Sequence, residues 1–161
     1  MKTTKRAITK DEAIKEAYRY LLNAKQTISN SPIEYGIYQD TKYVREAAGI
    51  AYLTALKAID GYLIGKGIPA DELPDSIEEY RRLVKKKIPL NGILVGALTI
   101  VYENLHLFAY YREGRSVNMV KEGFEKHLVK KCGEAIFAVL KKRVLLFTMH
   151  SFRSGQSSLV I

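Results

Sequence analysis

Between residues 40 and 64, apolar side chains cover most of a helix's circumference. Val44, Ala47, Ala48, Ala51, Tyr52, Ala55, Ile59, Tyr62 and Leu63 form one stripe, and Ile50, Leu53 and Leu56 lie beyond it. A helix that is apolar nearly all round belongs at the centre of a bundle. Its many alanines and Gly49 let neighbouring helices approach closely. Gly65-Lys-Gly67-Ile-Pro69 then stops it, with glycines that accept positive φ and a proline that cannot continue the helix. The rest of the chain must therefore supply helices with one apolar face to pack around this one.

The sequence supplies four. Thr9-Lys-Asp-Glu12 has the spacing of a capping box, in which the Thr hydroxyl and the Glu carboxylate satisfy free amides at a helix start. Ile14, Ala17, Tyr18, Leu21, Leu22 and Ile28 follow at the three-and-four spacing of a first helix that Asn30-Ser31-Pro32 ends. After Pro74, Asp75 or Ser76 can cap a short third helix, Ser76-Ile-Glu-Glu79 has the capping-box spacing, and the helix's closing cations suit the dipole of its C-terminus. A fourth is expected over residues 91–112, with Leu94, Ala97, Leu98, Val101, Leu105 and Phe108 on its buried stripe and Gly114 closing it. Ser116 caps a fifth through Val117, Val120, Phe124, Leu128, Ala135, Ala138 and Val139, with 145–147 as its extension. No strand-alternating segment, internal repeat or low-complexity linker is visible. The expected fold is all-α, a single-domain antiparallel bundle of about five helices over residues 9–150, between a basic segment at 1–8 and an irregular tail at 151–161.

With 161 residues and 47% hydrophobic side chains, the chain can bury a real core, which excludes a disordered tail, a collagen or a disulfide scaffold. The most apolar stretch, residues 88–101, spans 14 residues and contains Pro89 and Asn91. A spanning helix needs about 20 apolar residues, so no membrane association is expected. The first residues lack the apolar core of a secretory signal, and Cys132, the one cysteine, has no partner for an intramolecular disulfide, so a cytoplasmic location is expected. Cys132 reads as a structural thiol rather than a nucleophile.

The net charge of +9 is uneven: residues 1–80 hold 11 basic and 12 acidic side chains, and residues 81–161 hold 15 and 5. A basic half raises the local potential and favours an anionic partner such as RNA, DNA, a nucleotide or an acidic protein surface. The plain alternative is a solvated, solubilising face. The densest run is Arg81, Arg82, Lys85, Lys86 and Lys87, the candidate anion patch.

Glu103-Asn-Leu-His106 carries the Glu-x-x-His spacing that puts two metal ligands on one helix face, but a dinuclear centre needs a second copy, and neither His127 nor His150 follows a Glu by three residues. The histidines are dispersed, no Cys-x-x-Cys occurs, and no serine lies in a Gly-x-Ser-x-Gly setting, so neither a metal nor a cofactor is expected and the zinc and hydrolase readings fail. Gly61-Tyr-Leu-Ile-Gly65-Lys-Gly67 ends a helix rather than opening one after a strand, so it is not a phosphate loop. Gly92-Ile-Leu-Val-Gly96 permits close helix packing. Tyrosine is abundant, 11 residues against 5 Phe, and Tyr102, Tyr110 and Tyr111 cluster with His106, Arg112 and Arg115 near one helix end. Rings and guanidinium groups together can stack a base and hold a phosphate. Tyrosines at a core's edge look the same in sequence.

Arg45-Glu-Ala-Ala-Gly-Ile-Ala-Tyr52 and the alanine-rich helix that follows to Gly67 resemble the second helix of HEPN domains (higher eukaryotes and prokaryotes nucleotide-binding). Ala17-Tyr-Arg-Tyr-Leu-Leu-Asn-Ala-Lys25 is similar to the family's opening helix, and the resemblance covers residues 9–142. Catalytic HEPN domains are metal-independent ribonucleases with an Arg and a His separated by four to six intervening residues, usually in a dimer cleft. In this chain Asn104 and His106 look like remnants of that motif, no Arg precedes His106 at the required spacing, and Arg112 follows it. Arg143-Val-Leu-Leu-Phe-Thr-Met-His150 matches literally, but it sits in an apolar C-terminal stretch and reads as chance. An acid-base ribonuclease needs a His to move protons and an Arg to hold phosphorane charge at one phosphate. The resemblance therefore implies a non-catalytic, homodimeric member that binds a nucleotide, RNA or another anionic partner. Its expected ligand-binding residues are Glu103, Asn104, His106, Tyr110, Arg112 and Arg115, with the basic run beside them. The rival readings are a ribonuclease using His106 with Arg112 or His150 with Arg143, and a purely protein-interacting subunit.

Overall fold

A computed structural model describes residues 8–88 and 91–125. Among them the chain forms five helices and one small hairpin, so the fold is the expected all-α bundle. Helix α1 is Lys10–Ile28, α2 is Thr41–Gly65, α3 is Ile77–Lys87, α4 opens at Gly92, and α5 begins at Val117 and is described to Glu125. The expected continuation of the fifth helix, with His127, Cys132, Arg143, His150 and the tail, lies outside the described residues.

The start signals act as their chemistry demands. Glu12 N–H donates to Thr9 Oγ1 at 3.2 Å while Thr9 N–H donates to Glu12 Oε2 at 2.8 Å, which closes the capping box of α1. Asp40 caps α2 by accepting from Lys42 N–H at 2.9 Å, and Ser76 caps α3 by accepting from Glu79 N–H at 3.3 Å.

Helix α2 is the centre. Val44, Ala47, Ala48, Ala55, Ile59 and Leu63 are buried along it, and α1 runs antiparallel on one side, close enough that Gly61 lies against Ala13 and Ile14. On the other side lies the helix that begins with α4. Ile59, Leu63, Leu98 and Leu105 are the largest fully buried side chains, each contributing roughly 1.5–3 kcal/mol of hydrophobic stabilisation. Among the described residues, two helices are long and apolar enough to cross a membrane by length and composition alone, Thr41–Gly65 and Gly92–Tyr111. The second is longer than the apolar stretch at residues 88–101, because the helix continues to Tyr111. The first is the core helix, with 56% of its most apolar window buried, whereas the corresponding window of the second is 33% buried.

Two features depart from the sequence reading. The segment after α1 is not a plain turn: β1 (Ile33–Glu34) and β2 (Ile37–Tyr38) pair antiparallel, Ile33 with Tyr38 and Glu34 with Ile37. Ile37 also bridges to Ser116, so the hairpin is tied to the start of α5. The second departure is in α4, which is α-helical over Gly92–Val101 and then widens to a π-helix over Tyr102–Tyr111. π-Helices are rare, occur mostly as single-turn bulges, and are frequent at functional sites.

Candidate aromatic and basic site

The π-helical segment sets the site's geometry. Its hydrogen bonds reach five residues back, as from Arg112 N–H to Leu107 O at 2.9 Å, and side chains four apart share one face of it. Tyr102, His106 and Tyr110 consequently stack in a column, with centroid separations of 5.4 Å and 5.8 Å and interplanar angles of 27° and 13°. Tyr52 reaches across from α2 and stacks on His106 at 4.5 Å and 28°, and it meets Tyr102 at 6.2 Å. Offset and tilted pairs at such separations are favourable beyond their burial.

Each end of the column carries a guanidinium. Arg81 of α3 lies 5.4 Å over the Tyr102 ring, and Arg45 of α2 lies 5.9 Å from the Tyr110 ring. Cation–π contacts of this kind hold an arginine against a ring while leaving its donors free to reach an anion. The Tyr110 ring fits because it lies on Gly49, where a Cβ would come within 3.2 Å of it. Arg45 also pairs with Glu113 at 2.8 Å, an exposed ion pair of small energetic weight that a stronger anion can displace. Burial pushes the Tyr52 hydroxyl up from its ordinary value, Tyr102 adds to the rise, and Arg81 opposes it. The hydroxyl is therefore a proton donor at neutral pH.

The remaining expected residues divide. Asn104 is buried, and its amide donates to Met119 O at 3.1 Å and to Glu122 Oε2 at 3.2 Å, which pins α5 to the π-segment rather than facing a ligand. Arg115 donates to the carbonyls of Tyr38 and Gln39, at 3.4 Å and 3.3 Å, and so braces the hairpin. Glu103 and Arg112 are exposed, as is Tyr111 at 75%. Of the basic run, Arg81 joins the column, Arg82 pairs loosely with Glu79 at 3.9 Å, and Lys85, Lys86 and Lys87 are exposed at the end of α3. Among the described residues no three His, Cys, Asp or Glu side chains come together as metal ligands. Arg45 and Tyr52 are the site members that the residue-by-residue reading did not place there. Their signal was present in the resemblance, which rested on that Arg and that Ala-Tyr pair.

These elements define a class: an all-α bundle protein whose central helix and a π-widened helix hold an aromatic column between two arginines. Residues 12–132 match the family model described as a domain of unknown function (DUF5618), and the chain belongs to that family. A solved structure of a protein of unknown function from Dyadobacter fermentans is similar, at 30% identity and a TM-score of 0.61, over 85% of this chain and 99% of that one. No curated protein matches the chain.

Proposed function

We propose that this protein is a binding module for a base-bearing anion, RNA or a nucleotide, and carries out no chemistry of its own. The observation that carries this reading is the column itself, in which aromatic rings are flanked at both ends by guanidinium groups. Phosphates attract arginine by charge and by its fork of donors, and exposed rings such as Tyr111 and the partly exposed Tyr110 offer faces on which a base can stack. The strongly basic second half of the chain adds attraction at long range. Against a nuclease, the two arginines of the column lie, among the described residues, against Tyr102 and Tyr110 rather than against His106. The HEPN resemblance of α1 and α2 points to the same ligand class.

The test is fluorescence anisotropy with a labelled single-stranded RNA and a labelled mononucleotide at two salt concentrations. Binding is expected to weaken steeply with salt, and replacing Arg45 and Arg81 by alanine is expected to weaken it about tenfold or more and to flatten the salt slope by about one per lost phosphate contact. Tyr111→Ala is expected to cost on the order of 1–3 kcal/mol if a base stacks there. Absence of binding at low salt, or binding indifferent to both arginines, would reject the reading. RNA cleavage by the parent that disappears in His106→Ala would favour the ribonuclease instead.

A further inference from the structure

The hairpin between α1 and α2 carries a residue that nothing among the described residues explains. Tyr35 and Gly36 form its two-residue turn with φ of +51° and +75°. Positive φ at both positions defines a turn that normally takes Asn or Asp followed by Gly, and a bulky side chain at the first position is strained there. The strain brings no packing, because Tyr35 is 101% exposed, flanked by partly exposed Ile33 and Ile37. The turn itself is firmly held: Val117 N–H donates to Gly36 O at 3.0 Å, Tyr38 N–H to Arg115 O at 3.0 Å, and Gln39 N–H to Pro32 O at 2.8 Å. A strained residue held by a rigid frame is a sign of function, and a rigid, solvent-facing tyrosine between two isoleucines has the composition of an interface anchor.

The same chain holds a matching surface. The first turns of α4 are the least covered part of its most apolar helix: Ile93 is 59% exposed, and the space above Gly92 and Gly96 is open. Exposed Lys85, Lys86 and Lys87 stand at its rim, fixed to it by Asn91 Nδ2 donating to Lys85 O at 2.9 Å. Glu34, exposed beside Tyr35, is their complement in charge. The two surfaces cannot meet within one molecule, because the helix runs from Gly92 to Tyr111 and the hairpin is joined, through Ile37 and Ser116, to its Tyr111 end. Two copies set antiparallel along this helix bring each hairpin to the other's Gly92 end, and a two-fold contact of this type satisfies both patches at once. We propose that the protein pairs with a second copy of itself in this way, Tyr35 seating on the Gly92 and Gly96 face and Glu34 facing the lysines. This pairing stands independently of the anion-binding reading.

The decisive variants are ones that ordinary rules say should not harm the monomer. Tyr35→Asn puts a residue that tolerates positive φ into the turn, and Gly96→Glu adds helix propensity in open space. By sedimentation equilibrium the parent is expected to be a dimer at roughly 100 µM, and each variant is expected to weaken association about thirtyfold, as loss of an anchor does, with no fall in melting temperature at a concentration low enough that parent and variants are all monomers. Glu34→Lys is expected to weaken it several-fold and to be rescued by reversing the lysines to glutamate. A parent that is monomeric at that concentration overturns the proposal, as does a dimer that both variants leave unchanged. So does a monomer whose α4 face instead binds anionic phosphatidylglycerol vesicles in a Gly96-dependent manner.

Discussion

Replacing Gly123 with valine is expected to cost about 3 kcal/mol of folding stability, the upper part of the range for overpacking a close-fitting contact. A Cβ at this position would lie 2.6 Å from both Cγ and Cδ2 of Leu105, which is itself 1% exposed and has no free space to retreat into. Gly123 is where α5 presses on the π-segment, and Asn104 ties the two together one turn away through Met119 and Glu122. Leu105→Ala alone is expected to cost roughly 2–5 kcal/mol through the cavity it leaves. The double variant should lose clearly less than the two losses added, because the valine fills the space the leucine vacates. Urea denaturation checks this as a change in midpoint at constant slope. Strict additivity would mean that α5 does not dock on the π-segment at all.

That contact also shows how far the sequence reaches. The starts of α1 and α3 were legible because caps are local chemistry: Thr9 and Ser76 each cap the helix that follows, by accepting from an amide three residues on. The centrality of α2 was legible because no other placement hides a helix apolar all round. The π-helical widening was not, since residues four apart share a face in either kind of helix and no residue over 102–111 announces the change. Tyr102, His106 and Tyr110 stack along this widened segment. The hairpin was hidden because its strands are two residues long and its turn is Tyr-Gly, outside the Asn-Gly and Asp-Gly pairs that announce such turns. Arg115 reads as a ligand-binding cation in sequence and proves to brace that hairpin, because its partners are carbonyls 76 and 77 residues away. Arg45, conversely, reads as one charge on a helix surface, and only the packing of α2 on the π-segment brings it to Tyr110.

The second large effect concerns Asp60, a carboxylate only 5% exposed in the middle of the central helix. Tyr80 of α3 donates its hydroxyl to Asp60 Oδ1 at 2.6 Å, and Lys57 stands 3.6 Å from Oδ2, so the pair fastens α3 to α2. Burial raises the Asp60 carboxyl above its ordinary range, and the Tyr80 hydroxyl and then Lys57 only partly offset this. Burial and the same carboxylate also raise the Tyr80 hydroxyl, which therefore stays a donor. With the folded value above the unfolded one, the folded state holds the proton more tightly. This group's contribution is thus greatest below the unfolded value and declines as pH rises through the folded one. Tyr80→Phe takes away the strongest support of the charged form, so the carboxyl rises further and the decline deepens. The variant is expected to lose about 2 kcal/mol at pH 7, the weight of a hydrogen bond to a buried charge, and distinctly less near pH 4. Asp60→Asn keeps an acceptor for Tyr80 but removes the titration, so its difference from the parent should tilt in its favour as pH rises. Chemical denaturation of the three proteins between pH 4 and 7 decides the matter. Parallel stability profiles would show that Asp60 is solvated in the folded protein and that the attachment of α3 rests on Ile77 and Val84 instead.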